Sequence, residues 1–267
     1  MGAGEKPGRD LKTPMFVPLH DANELKHIHR QYVTLGLIAA NIIIYFVTAV
    51  SGGDSDFANA AVLGLGFIPA VVNDFAVLAP GLAIVPDQAT YVSYAFLHAN
   101  LLHLGGNMVF LWVFGDNVED ALGHFRFLIF YLACAAAGAF AHVLLLPTSE
   151  APLIGASGAA FGIVAAYLIL HPRVRLWVLA FGRIPLRLPA WLPLMLWVGF
   201  QFYMLVADWG GEISFAAHIG GMLCGALLVL FMRRSGVPLF DRQIVVPRAV
   251  VRSVPTVPIS DPRRSNI

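Results

Sequence analysis

The chain has 267 residues, of which 58% are hydrophobic and only 12% are charged, and its mean hydropathy is +0.74. Soluble domains contain roughly 25% charged residues, so this composition excludes an ordinary soluble protein and indicates a helical membrane protein. The formal net charge is +1. The sequence contains no basic tract of the kind that would predict nucleic-acid binding as the main role.

The first third of the chain predicts an arm, one membrane span and a long loop. Residues 1–31 are polar and predict a cytoplasmic arm that ends in a short basic helix around Lys26 and Arg30. Residues 32–50 form an apolar run about long enough to cross a bilayer core. Residues 51–96 are apolar but interrupted by glycine and proline. They predict a loop with short helices that lie in the membrane interface.

Five further apolar runs complete an all-α, polytopic membrane protein with six predicted spans. The second span carries several polar side chains and is followed by a predicted polar turn at 115–120. The fourth span is short for a full crossing, so its first residue, Ser157, would lie below the membrane surface. We expect a six-helix domain at 32–232 and a disordered cytoplasmic tail at 233–267. The five runs are residues 97–114, 126–146, 157–170, 190–207 and 213–232.

The positive charges predict the orientation of these spans. The segments without any lysine or arginine are residues 51–96, 147–156 and 208–212. The segments that hold all the lysines and arginines are residues 1–31, 115–126, 171–189 and 233–267. Because positive residues favour the cytoplasmic side, this pattern predicts an even number of spans with both termini inside. Ser157 then begins the fourth span on the outer side.

Polar side chains occur within the predicted spans, where they are costly and indicate function. His103 and Asn107 are spaced i, i+4 and share one helix face, whereas His98 lies about half a turn away from it. In the fifth span Trp197 and Gln201 are also spaced i, i+4. They would line a substrate entrance or simply pack in the membrane.

The sixth span carries His218 on the same stripe as Gly221 and Gly225. Glycines allow two helices to approach closely. We therefore expect this stripe to pack against the start of the fourth span, where Gly155 and Gly158 flank the serine. All of these polar groups lie in the outer halves of their spans, so they can meet at one depth.

This arrangement predicts acyl-transfer chemistry. Ser157 would be the nucleophile and His218 the base that accepts its proton. The Ser157 backbone N–H, the Asn107 amide and the His103 ring would donate hydrogen bonds to a developing oxyanion. No carboxylate is expected near His218, so the prediction is a dyad. The structural alternatives are a helix N-cap for Ser157 and an interhelical hydrogen bond for His103 and Asn107.

Four motifs, each in a fixed order along the chain, resemble the rhomboid family of intramembrane serine proteases of the basic six-helix type. Gly-x-Ser-Gly alone is weak, because other serine hydrolases also contain it. Its combination with His-x-x-x-Asn and Ala-His-x-x-Gly-x-x-x-Gly, each on its own span and in this order, is strong. The resemblance covers residues 32–232. The motifs are His-x-x-x-Asn from His103 to Asn107, Gly-x-x-x-Glu from Gly115 to Glu119, Gly-x-Ser-Gly from Gly155 to Gly158, and Ala-His-x-x-Gly-x-x-x-Gly from Ala217 to Gly225.

The resemblance implies roles for several residues. It implies Ser157 and His218 as the catalytic dyad and His103, Asn107 and the Ser157 N–H as oxyanion-hole donors. It also implies that Phe161 packs on the His218 ring and that Glu119 is a structural acid. His98 is a secondary, more structural position. The chain departs from the family at 51–96, where the Trp-Arg pair of many members is absent, so the anchoring of that loop is open.

The resemblance also implies the activity and its setting. We expect an endopeptidase that cleaves transmembrane proteins near the outer membrane face, after local unwinding of the substrate and at a small residue. We expect no metal and no cofactor, transmembrane substrates and the lipid bilayer as partners, and no nucleic acid. The expected location is a bacterial inner membrane, with an organelle membrane as the alternative. Two other classes stay open, a non-proteolytic binder of membrane helices and a small transporter or channel. The oligomeric state is not predicted.

Overall fold

The computed structural model describes residues 16–50, 56–180, 182–207 and 213–241. This part of the chain is mostly helical, with one small sheet. The helices are α1 (Tyr32–Val50), α2 (Asp56–Leu65), α3 (Pro69–Val72), α4 (Asp87–Ser93), α5 (Leu101–Phe110), α6 (Asp116–Leu122), α7 (His124–Leu145), α8 (Ser157–Leu170), α9 (Trp191–Ala207) and α10 (Phe215–Met232). The strands are β1 (Phe16–Asp21), β2 (Arg175–Ala180) and β3 (Ile184–Pro189).

The apolar runs form helices at nearly the expected positions. α1 and α8 begin and end at the predicted residues. The second run differs, because its helix begins at Leu101 and continues through a π-helical turn, Leu111–Gly115, into α6. The predicted polar turn at 115–120 is therefore wrong. Its polar side chains form the end of a helix and bond to other segments.

Among the described residues, only some helices are long and apolar enough to cross a membrane. α7 and α10 are long and apolar enough. A third candidate joins residues 87–96 with residues 101–122, two helical pieces that are bent by 87°. α8, α9 and most of α1 are shorter apolar helices. The count of six spans stays a prediction.

α10 is fixed against α7 at its first turn. It packs along α7 and α8, and its N-cap is Ser214, whose hydroxyl accepts a hydrogen bond from the Ala217 N–H over 3.1 Å. The same hydroxyl lies 2.7 Å from His142 Nδ1 on α7. A capping hydroxyl that also bonds to a neighbouring helix fixes the depth of α10 relative to α7.

The segment at 56–96 contains short helices, as predicted, and is anchored without a Trp-Arg pair. Phe67 is fully buried and exchanges two backbone hydrogen bonds with Leu153, at 3.1 Å and 2.8 Å. Tyr94, also buried, donates its hydroxyl to the Ala135 carbonyl of α7 over 2.8 Å. Its carbonyl accepts the Gly155 N–H over 3.0 Å. Backbone pairing and one buried tyrosine thus attach the loop to α7 and to the loop before α8.

A three-stranded antiparallel sheet covers the end of the bundle at which α8 ends, and the sequence pattern did not predict it. Phe16 of β1 pairs with Ala180 of β2, and β2 pairs with β3 from Arg175 to Pro189. Residues 22–31 are not helical, so the predicted basic helix around Lys26 and Arg30 is wrong. Much of the linker at 171–189 and part of the arm at 1–31 therefore belong to one sheet.

Buried carboxylates attach the arm to the helices. Asp120 accepts three backbone N–H groups, from Lys26, His27 and Ile28, at 3.0, 2.6 and 2.7 Å. Asp21 accepts the Tyr167 hydroxyl of α8 over 2.8 Å. Burial raises the pKa of Asp21 from 3.8 to about 6, although the hydrogen bond from Tyr167 opposes this shift.

Residues 233–241 also pack against the helix ends. The Arg234 N–H donates to the Ala121 carbonyl over 2.8 Å, and the Phe240 N–H donates to the Ile169 carbonyl over 2.8 Å. Val237 is buried. The prediction of a disordered tail is wrong for these residues, because backbone groups among them are paired and one side chain joins the core. The rest of that tail and residues 1–15 of the arm lie outside the described residues.

Candidate active site

The first helical residue of α8 and the first turn of α10 come together on one side of the bundle. Ser157 Oγ lies 2.9 Å from His218 Nε2. Ser157 is half-buried, whereas its neighbours from Gly155 to Ala160 are buried. His218 is 8% exposed. A hydroxyl within hydrogen-bond distance of an imidazole, and reachable from outside, is the arrangement that activates a serine.

Glycines make this contact possible. A Cβ at Gly221 would overlap the Gly158 carbonyl oxygen, and a Cβ at Gly225 would lie 2.6 Å from the Gly162 Cα. Both pairs join α10 to α8 one turn apart. Any side chain at these positions would separate the two helices, so the glycine stripe sets the distance between Ser157 and His218.

Aromatic rings hold the imidazole from two sides. Phe161, one turn after Ser157, stacks on the His218 ring with centroids 4.3 Å apart and planes 25° apart. Phe215 approaches the same ring edge-on at 5.9 Å. These rings restrict the imidazole to one plane, and the predicted packing of Phe161 on His218 is present in the geometry.

The polar residues of α5 lie beside the loop that precedes Ser157. Gly155 has a φ of +119°, and a Cβ there would lie 2.6 Å from His103 Nε2. The His98 and His103 rings pack with centroids 5.1 Å apart. The Asn107 amide donates to the His103 carbonyl over 3.0 Å, which uses one of its two N–H groups. The α5 side chains are therefore next to the nucleophile's loop, and their oxyanion role stays a prediction.

A further polar side chain reaches the imidazole from α9. Gln201 Oε1 lies 2.7 Å from His218 Nδ1, and Gln201 is 3% exposed. An amide oxygen only accepts hydrogen bonds, so this contact suits an imidazole with its hydrogen on Nδ1 and with its Nε2 lone pair towards Ser157. Trp197, one turn earlier, packs on Phe161 at 5.3 Å. The sequence predicts this pair at an entrance or in packing, and it does not connect Gln201 with His218.

Comparison with known proteins agrees with this geometry. A family model described as the rhomboid domain matches residues 86–235, which is more than half of the chain. The chain belongs to the rhomboid family. This confirms the resemblance drawn from the motifs, and it makes the protein an integral membrane protein.

Rhomboid relatives come from organelles and from bacteria. The chain is 30% identical over 155 residues to the mitochondrial rhomboid protein 1 of Saccharomyces cerevisiae, covering 57% of this chain and 44% of that protein. It is 28% identical over 170 residues to the chloroplastic rhomboid-like protein 11 of Arabidopsis thaliana, covering 60% of this chain and 58% of that one. It is 30% identical over 131 residues to the rhomboid protease GluP of Bacillus subtilis, covering 49% of this chain and 23% of that protein. The chain thus spans less than two thirds of each of these relatives, and their locations do not support a bacterial inner membrane over an organelle.

In this rhomboid the acid of the Gly-x-x-x-Glu motif caps another helix. Glu119 is fully buried and accepts the N–H groups of Val33 and Thr34 at 3.0 Å and 2.8 Å, and the Thr34 hydroxyl at 2.7 Å. His124 Nδ1 also lies 2.5 Å from it. A carboxylate that satisfies free N–H groups at a helix start stabilises that start. These contacts match the structural role that the resemblance implied for Glu119.

Proposed function

We propose that this rhomboid is an intramembrane serine endopeptidase that uses Ser157 and His218 as a dyad. The observation that supports this proposal most directly is the distance of 2.9 Å between Ser157 Oγ and His218 Nε2. The family supports protease activity in the membrane in general terms, and the dyad, the membrane face and the substrate are the finer parts of the proposal. The proposed enzyme needs no metal or cofactor for this reaction.

In the proposed reaction the Ser157 hydroxyl attacks the carbonyl carbon of the scissile peptide bond, and its proton passes to His218 Nε2. The negative oxygen of the tetrahedral intermediate accepts hydrogen bonds from the Ser157 N–H, the second Asn107 amide N–H and the His103 ring. His218 then gives its proton to the leaving amine as the peptide bond breaks. Water, deprotonated by His218, attacks the acyl carbon and releases the second product, and Ser157 regains its proton.

The proposed setting is a six-helix bundle at 32–232 with a membrane-embedded first loop and both termini in the cytoplasm. The distribution of lysine and arginine supports this orientation, and it puts the start of α8 near the outer face. A transmembrane substrate would unwind locally before cleavage, because the peptide bonds of an intact helix are hydrogen-bonded and enclosed by side chains. Substrates with helix-destabilising residues near the outer face are therefore favoured.

The test uses purified protein in proteoliposomes with a single-span reporter substrate and a fluorophosphonate probe. We expect the wild-type protein to cleave the reporter and to be labelled at Ser157, and Ser157→Ala and His218→Ala to lose both activities. Ser149→Ala serves as the matched control, since this serine lies in the loop before α8 and should retain activity. Reporter cleavage by purified Ser157→Ala at the wild-type rate would refute the proposal.

A further inference from the structure

Gln201 forms the contact between α9 and the imidazole. Its Oε1 lies 2.7 Å from His218 Nδ1, on the side of the ring opposite the nitrogen that faces Ser157. With an exposed fraction of 3%, the amide cannot exchange this partner for bulk water. It is a buried hydrogen bond from a third helix to one specific ring atom.

The chemistry of an amide oxygen gives this bond a consequence for the reaction. A neutral imidazole carries its hydrogen on only one nitrogen, and a base must have its lone pair on the nitrogen that faces the hydroxyl. The Gln201 oxygen accepts only, so it favours the tautomer with the hydrogen on Nδ1. With the amide in this orientation, the opposite tautomer would place two lone pairs against each other at 2.7 Å and would present N–H to Ser157.

Aromatic packing one turn before the amide holds α9 in place. Trp197, one turn before Gln201 on α9, contacts Phe161 at 5.3 Å and Phe110 at 4.2 Å between ring centroids. Phe161 in turn stacks on His218. One face of α9 therefore makes two contacts: the Gln201 amide contacts the imidazole, and Trp197 contacts the Phe161 ring that covers the imidazole. Rotation or displacement of α9 would change both contacts together.

We propose that Gln201 is a positioning residue that holds His218 in the base-competent tautomer and in the plane that faces Ser157. This proposal depends on the proposed protease function, and it adds to the dyad a neutral third member. An amide suits this place because an ionised carboxylate buried among membrane helices is expensive, whereas an amide offers the same acceptor atom without a charge.

Two substitutions separate positioning from packing. Gln201→Met keeps the length and the apolar contacts of the side chain but removes the acceptor. We expect the kcat of reporter cleavage and the rate of fluorophosphonate labelling to fall about tenfold to a hundredfold, with KM and thermal stability close to wild type. Gln201→Glu restores an acceptor oxygen, and we expect its kcat and its labelling rate to be at least about tenfold higher than those of Gln201→Met.

The pH profile gives a signature that a packing role would not produce. The ionised carboxylate that Gln201→Glu introduces would favour the protonated imidazole, so the acid limb of the pH–rate profile should move to higher pH. Gly199→Ala is the control on the same helix, because a methyl group there meets nothing within 4 Å. It should leave both the rate and the acid limb unchanged.

A readout without catalysis keeps this proposal distinguishable from the proposed function. Nitrogen-15 NMR of the labelled His218 ring should show the Nδ1–H tautomer in the wild-type protein and a mixture of tautomers in Gln201→Met. Failure of the wild-type protein to cleave or label would refute the protease function, and the tautomer measurement would still test Gln201. Three results would each overturn the positioning role. The first is fluorophosphonate labelling of Gln201→Met at the wild-type rate, and the second is an equal loss of rate in Gln201→Met and Gln201→Glu. The third is a His218 tautomer in Gln201→Met that is unchanged from the wild-type protein.

Discussion

Replacing Gly221 by alanine should separate Ser157 from His218 by a distance that the structure allows us to work out. The new Cβ would lie 2.6 Å from the Gly158 carbonyl carbon and closer still to its oxygen, whereas ordinary contact begins at 3.4 Å, so α10 must move by at least about 0.8 Å. If the imidazole moves with α10 and directly away from the Ser157 hydroxyl, the distance between them grows from 2.9 Å to at least about 3.7 Å. That exceeds the usual hydrogen-bond range, which ends at about 3.2 Å.

The expected result is a loss of activity larger than the loss of stability. A displacement of about 1 Å at reacting groups costs on the order of a hundredfold in rate. One extra methyl group in a packed interface costs about 1–3 kcal/mol of stability. Reporter cleavage and fluorophosphonate labelling in proteoliposomes measure the first quantity, and thermal unfolding in detergent measures the second.

Gly220→Ala is the matched comparison, because the neighbouring glycine faces α7. Its Cβ would lie 2.5 Å from the Ala137 carbonyl oxygen and from the Ala141 Cβ, so the substitution overpacks the other side of the same helix. Both variants should lose stability, and Gly221→Ala should lose clearly more activity. Cleavage and labelling at the wild-type rate in a folded Gly221→Ala protein would refute the reasoning that the glycine stripe sets the dyad distance.

Three further outcomes are expected. Tyr94→Phe removes the buried hydrogen bond to the Ala135 carbonyl and should destabilise the protein by about 1–2 kcal/mol, which thermal unfolding will detect, and an unchanged melting temperature would contradict it. Phe161→Leu should slow labelling about tenfold through a less fixed His218 ring, while Phe161→Tyr retains the stacked ring and most of the rate. Because burial raises the pKa of Asp21 from 3.8 to about 6, its carboxyl stabilises the fold most below about pH 4, and that contribution is lost as the pH rises through 6. The stability of the wild-type protein should therefore fall by at most about 3 kcal/mol between about pH 4 and pH 7 because of this group. Asp21→Asn should remove that fall, which thermal unfolding across the same pH range measures.

The helices and the serine–histidine contact could be predicted because they depend on local patterns. Long apolar runs have few alternatives to helix in a membrane, and α1 and α8 accordingly end at the predicted residues. Gly221 and Gly225 share a stripe with His218, so helix periodicity alone predicted which surface of α10 would meet another helix. The structure brings that stripe against Gly158 and Gly162, as expected.

The end of the molecule that carries the sheet could not be predicted in this way, because its contacts join distant parts of the chain. Asp120 looked like part of a polar turn, since polar residues normally face water. In the structure it is 6% exposed and binds the N–H groups of residues 26–28. The contact of Gln201 with His218 has no sequence signal for a related reason. Its i, i+4 partner Trp197 suggested a packing face, and nothing in the sequence measures the distance to His218.

The three-stranded sheet has a consequence for the order in which the protein folds. Phe16 pairs with Ala180, so β1 finds its partner only after the chain has been made as far as residue 180. β2 and β3, in contrast, pair as neighbours in the sequence and form a local hairpin. Contacts between residues far apart in sequence form late because the chain must first close a long loop. β1 therefore joins the sheet only after α8 has been synthesised, and its partner strand is complete before α9 and α10, the last two helices of the core, have been made.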